Sequence, residues 1–175
     1  MEWFRHPRFH SITELLAADD AGSLSVAEFD DSLWLIVSAL IDSPSDCADV
    51  PDPVVDYYAS RLIQWDVENG GFAQAAFNYL EWFDSAARGY ERIGLPKCAE
   101  LIRRAQILAD SDARRFRALR RAFAPIDDVF RAFRDSKLAP LDARIHEVGW
   151  DATSLRVTFV RAHLDAFRAL DRPPP

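Results

Sequence analysis

Two adjacent glycines set between helix-forming residues constrain this chain more than any other feature of it. They stand in Asn69-Gly70-Gly71-Phe72-Ala73-Gln74, followed by Phe77-Asn78. Upstream, Val55, Tyr58, Leu62 and Trp65 recur three and four apart, the spacing of one buried helix face. Downstream, residues 72–83 are helix-like again. The glycines therefore predict a helix-to-helix turn, in which Asn69 or Gly70 takes the left-handed cap and Gly71 lets the second helix start at a sharp angle. Phe72 would plug the junction, Asn69 would cap a helix, and Gln74 would pin the turn through backbone hydrogen bonds. A ligand-contacting turn is the competing reading, since side-chain amides beside glycines offer donors and acceptors at close range. The segment holds no nucleophile, base pair or phosphate-binding lysine.

The rest of the chain is helical in pattern, and no stretch alternates with period two for long enough to argue for a sheet. The expected fold class is all-α, a single domain over 175 residues that are 49% hydrophobic. Ser11-Ile12-Thr13-Glu14 and Ser25-Val26-Ala27-Glu28 have capping-box form and should each start a helix. The second runs to about Ile41, with Val26, Phe29, Leu33, Ile36, Val37, Leu40 and Ile41 on one face. Pro44, Pro51 and Pro53 punctuate a loop over 42–52, and Asp52-Pro53 opens the helix that leads to the glycines. Gly94 ends one helix and Leu95-Pro96 starts the next, while Ser111-Asp112 reads as the cap of a further one with Phe116, Leu119 and Phe123 as its stripe. More helices are expected near 126–135 and 139–147. A last one should bury Leu155, Phe159, Val160, His163, Leu164, Phe167 and Leu170, before the Pro173-Pro174-Pro175 tail.

Charge is segregated along the chain. Residues 1–87 carry 16 acids against Arg5, Arg8 and Arg61, whereas residues 88–175 carry 18 Lys or Arg against 12 acids. No base lies between Arg8 and Arg61, a span that holds Glu14, Asp19, Asp20, Glu28, Asp30, Asp31, Asp42, Asp46, Asp49, Asp52 and Asp56. Carboxylates three or four residues apart on a helix sit about 5–6 Å apart, near the spacing of phosphates along a strand. Asp42, Asp46, Asp49, Asp52 and Asp56 have that sequence spacing, although the prolines place much of the row in a loop; with Asp52 set aside as a helix cap, Asp42, Asp46, Asp49 and Asp56 are the candidate partner-binding residues. Nine arginines between Arg103 and Arg134 suggest phosphate contacts, but the acidic chain, at net −7, argues against direct nucleic-acid binding. They more naturally pair with the acidic half, within one molecule or across a homodimer.

His146, Glu147, His163 and Asp165 fit no compact ligand spacing, and His163 lies on an apolar face. Cys47 and Cys98 match no zinc or redox spacing and read as reduced thiols of a cytoplasmic protein. No metal, cofactor or membrane span is expected.

The block Glu68-Asn69-Gly70-Gly71-Phe72-Ala73-Gln74 with Phe77-Asn78, then Tyr90-Glu91-Arg92-Ile93-Gly94 and Ala99-Glu100-Leu101-Ile102, resembles the bacterial DNA-mimic protein family. The likeness extends more loosely through Leu141-Asp142 and Phe159-Val160-Arg161-Ala162-His163, over roughly 25–170. It implies a compact helical domain whose acidic surface occupies the DNA-binding face of another protein, one-sidedly, given the arginines. The expectation is a non-enzymatic protein that binds a basic or DNA-binding partner. Alternatives are an immunity or inhibitor protein against a basic nuclease, and an enzyme with a site at the Asn69–Gln74 turn.

Overall fold

In a computed structural model, described for residues 8–41, 43–145 and 147–171, the chain is all-α, with no strand among the described residues. The helices are α1 (Ile12–Asp20), α2 (Val26–Ser38), α3 (Asp52–Tyr79), α4 (Phe83–Ile93), α5 (Pro96–Arg121), α6 (Ile126–Arg134), α7 (Ala139–Asp142), α8 (Thr153–Ala162) and α9 (Leu164–Arg168). Short 3-10 turns occupy Pro44–Cys47, Leu80–Trp82 and Ala169–Asp171. Contacts divide the chain into two compact units, residues 1–58 with 152–175 and residues 59–151, the boundary falling inside α3.

In the first unit, α1 and α2 start as the capping pattern predicts. Ser11 and Ser25 each accept the amide three residues on, and Glu28 returns a bond to the Ser25 amide at 2.9 Å. The α1 N-terminus is completed from far along the sequence, where the Asp171 carboxylate accepts the Ile12 and Thr13 amides at 2.8 and 2.7 Å and the Thr13 hydroxyl at 2.7 Å. Packed beside α1 and against α8, α2 buries Phe29, Leu33, Ile36 and Val37. It stops at Ser38, three residues short of the expected end, leaving Leu40 exposed while Ile41 is buried; Val26, in the first turn, is also exposed.

Below this apolar layer lies a fully buried ion pair, Asp30 Oδ1 to Arg156 Nε at 3.5 Å, with both residues at 1% exposure or less. Next to it the Tyr57 hydroxyl donates to the Asp30 carbonyl at 2.9 Å, and the Tyr57 ring meets Phe167 edge-on. Arg161 pairs with Asp19 through two bonds of 3.1 and 2.7 Å. Two acids of the base-free stretch, Asp30 and Asp19, thus acquire counter-charges from Arg156 and Arg161.

Partial burial tends to raise the Asp171 carboxyl pKa, but its bonds from Thr13 and Ile12 outweigh that and hold it below its ordinary value. A carboxylate with a lowered folded pKa adds stability above its unfolded pKa and loses it as pH falls through the folded one. Asp171→Ala should therefore cost about 1 kcal/mol at neutral pH. The difference from the parent should vanish in acid, read by urea melts between pH 7 and pH 2.

In the second unit, α4 and α5 pack as an antiparallel pair around Gly94, whose φ of +96° makes the left-handed turn between them. Three expectations are corrected here and at the C-terminus. Ser111-Asp112 does not start a helix; α5 runs unbroken from Pro96 to Arg121, because Ser111 Oγ bonds the Leu108 carbonyl and Asp112 accepts Ser136 Oγ instead of a local amide. The 139–147 helix ends at Asp142, after which the amides of Arg144, Ile145 and Glu147 make three-residue turns. The last helix breaks at His163, whose ring Nδ1–H donates to the Phe159 carbonyl at 2.8 Å, the acceptor an unbroken helix would give to its amide. Three further expected core residues also lie outside: Trp65 and Leu155 are exposed, and Phe123 is 94% exposed.

Candidate functional site: a locked glycine kink and an acidic surface

The glycine segment is a kink inside α3, and every polar group its pattern supplies is turned to holding it. Gly71 carries the φ of +78° with ψ 178°, a conformation open only to glycine, whereas Gly70, at φ −162°, is extended backbone that any residue adopts. The left-handed position is thus Gly71 and not Asn69 or Gly70. Asn69 caps as expected, its Nδ2 donating to the Trp65 carbonyl at 2.7 Å. Gln74 pins the turn differently from the expectation. Its Nε2 donates at 3.0 Å to the buried carboxylate of Asp66, which also takes Asn78 Nδ2 at 3.0 Å. Side-chain amides from the second half of α3 thereby grip a carboxylate on the first.

A second carboxylate closes the kink from α7. Asp142 Oδ1 accepts the Phe72 amide at 2.8 Å, one of the donors that a restarting helix leaves without an intrahelical partner. The Phe72 side chain is fully buried and meets Trp150 edge-on, and Trp150 in turn stacks on Tyr90. Tyr90 extends the polar network by donating to Gln64 at 3.3 Å, and Gln64 donates to Glu68 at 2.7 Å. Asp66 and Asp142 were the two residues of this lock that spacing did not single out.

Burial pushes the Asp142 carboxyl pKa up, only partly offset by the Phe72 amide. For an acid with a raised folded pKa, ionisation costs folding stability, so the penalty grows as pH rises from the unfolded value through the folded one. Asp142→Asn keeps an acceptor for Phe72 without the charge. It should gain on the parent protein as pH climbs through that window, measured by chemical melts at pH 3 to pH 7.

The candidate partner-binding acids separate on inspection. Asp46 and Asp49 are exposed, and Asp42 lies outside the described residues. Asp46 also accepts the Ser43 amide at 2.7 Å and so caps the Pro44–Cys47 turn. Asp56 must be withdrawn from the set: at 0% exposure it is buried on α3, beside buried Val55 and Tyr57, and is not part of that surface. In its place the first unit exposes Glu14, Asp20, Glu28, Asp31 and Asp52. Three arginines of that unit are engaged, Arg156 with Asp30, Arg161 with Asp19 and Arg168 with Asp165.

Among the described residues no group of three His, Cys, Asp or Glu side chains is arranged to hold a metal ion, and no helix is long and apolar enough to cross a membrane. Both cysteines are free; burial under the Val148 and Gly149 carbonyls pushes the Cys98 thiol up to about 11.

Fold and site together define an all-helical protein organised about a carboxylate-locked glycine kink and carrying a segregated acidic surface. The chain belongs to the DMP19-like protein family, whose profile matches residues 48–163. The match is narrower than the 25–170 read from the sequence. It takes in the kink, Asp142 and the arginines but leaves Asp42 and Asp46 outside. No curated protein and no solved structure matches the chain.

Proposed function

We propose that this is a non-enzymatic binding protein whose exposed carboxylates, Asp20, Asp31, Asp46 and Asp49 among them, occupy the nucleic-acid-binding face of a basic, DNA-binding protein. Asp42 joins them by its place in the sequence. The observation that carries the reading is the charge of the first unit: its exposed acids stand on α1, α2 and the segment before α3, while Arg156 and Arg161 are consumed by Asp30 and Asp19. Carboxylates held on helices offer a basic protein the fixed negative array that phosphates would. The family name, DNA mimic protein 19, supports the same direction. The glycine kink serves this function as scaffold, since its amides and carboxylates satisfy one another.

Affinity capture at low and high salt, followed by competition with duplex DNA, tests the proposal. A captured DNA-binding protein should release DNA as this chain is added. An Asp20→Asn, Asp46→Asn, Asp49→Asn variant should associate several-fold more slowly and show a flatter salt dependence, because peripheral charges steer encounter more than they hold a complex. Unchanged affinity and salt slope at an unchanged melting temperature would reduce the acids to a solvated surface.

A further inference from the structure

At the other charge extreme, the end of α5 presents an aromatic where helices ordinarily place glycine. Phe123 has φ +48° and 94% of its surface exposed. Its amide bonds the Arg120 carbonyl and the Ala124 amide reaches back to Leu119, the left-handed helix ending in which glycine is favoured because it has no Cβ to strain. The chain thus holds a large apolar side chain in water on a backbone that resists it, and such outliers persist where function uses them. Ile126 and Phe130, on α6, are also exposed, at 62% and 48%.

This ridge continues into a slot. Phe130 contacts Phe133, whose ring meets Phe77 and Phe116, and those two rings with Leu80, Arg117 and Arg120 line a depression of about 320 Å³. Around it the charge is mostly basic, with Glu81 the one acid among the lining residues. Arg103, Arg115 and Arg131 pair with Glu91, Asp135 and Asp128, whereas Arg114, Arg117 and Arg121 extend into solvent. An apolar ridge, an aromatic-walled slot and flanking guanidiniums complement an apolar anchor flanked by carboxylates.

We infer that the α5–α6 ridge of Phe123, Ile126 and Phe130, with Arg117 and Arg121, is a docking site for an acidic amphipathic helix of another protein. A protein occupant is favoured over nucleic acid because the exposed Ile126 at the middle of the ridge offers no face for a base to stack on. The site belongs to the second unit, and the inference is independent of the reading given to the acidic surface.

The test uses the full chain and a fluorescein-labelled synthetic helix of about 20 residues, with leucine on one face and glutamate on the other. The parent protein should bind it with a Kd on the order of micromolar. Phe123→Gly is the decisive variant, because it removes backbone strain as well as the side chain. It should raise the melting temperature by about 2–4 °C while weakening the peptide about tenfold; Ile126→Ser should weaken it without stabilising. Failure of the glutamate peptide to bind, equal binding of a lysine version, or unchanged affinity in Phe123→Gly overturns the inference. So does displacement of the peptide by a single-stranded oligonucleotide, which gives the ridge to nucleic acid. A concentration-dependent dimer that Phe123→Gly abolishes gives it to a second copy of the chain, and overturns the inference equally.

Discussion

Gly71→Ala should destabilise the protein by about 3 kcal/mol, enough to remove a large part of the stability of a domain this size. Two costs add. The backbone there, φ +78° and ψ 178°, is open to glycine and strained for alanine, and a Cβ would strike the Asp142 carboxylate. That carboxylate would have to move, leaving the Phe72 amide without its acceptor where the fold is part-buried. Gly70→Ala is the matched control, because its backbone suits any residue and the new Cβ would meet the Gln74 side chain alone, its movable amide end most closely and its Cβ at 3.1 Å. Its cost should be near 1 kcal/mol, the worth of the Gln74–Asp66 bond. Equal melting midpoints for the two alanine variants in urea would show that the kink does not depend on Gly71.

Removing one partner of the buried Asp30–Arg156 pair should be comparably damaging. Arg156→Met leaves the Asp30 carboxylate inside a region where both residues are shielded from water, and stranding one charge of such a pair costs about 3–5 kcal/mol. Burying two charges is itself expensive, so an apolar replacement of both can be close to neutral. Arg156→Met with Asp30→Leu should therefore recover most of what Arg156→Met loses. Additive losses in the double variant would mean that the two side chains stabilise the unit through separate contacts.

How far the sequence revealed these features follows from the range of the physics involved. Caps and periodic faces act within one turn, so α1, α2, the Gly94 turn and the kink itself were legible. The tighter details were settled by groups distant in sequence. Gly71 rather than Asn69 or Gly70 took the left-handed φ because Asp142 claims the Phe72 amide, and Gln74 turned from the backbone to Asp66 because that carboxylate is buried within its reach. Ser111-Asp112 misled because both residues found other partners inside a continuous helix. The acidic set erred at Asp56 for a related reason. A run of carboxylates reads as a surface, but Asp56 sits between Val55 and Tyr57 on a helix that buries all three. The family expected from the sequence is the one whose profile matches residues 48–163, whereas the partner lies outside what residue types alone encode.

The Asp171 bonds to α1 and the Asp30–Arg156 pair have a consequence for synthesis. Both join segments of the first unit that are separated by the whole of residues 59–151. As the chain leaves the ribosome, the second unit is a continuous stretch and meets its own contacts early, but α1 and α2 wait for α8 with part of their apolar surface uncovered. The entropy of closing so long a loop grows only slowly with its length, so the delay is set by translation, at about 5–20 residues per second, rather than by the search. During those seconds Phe29 and Leu33 are shielded by solubility alone, and the exposed acids of the same helices supply it through mutual repulsion between nascent chains.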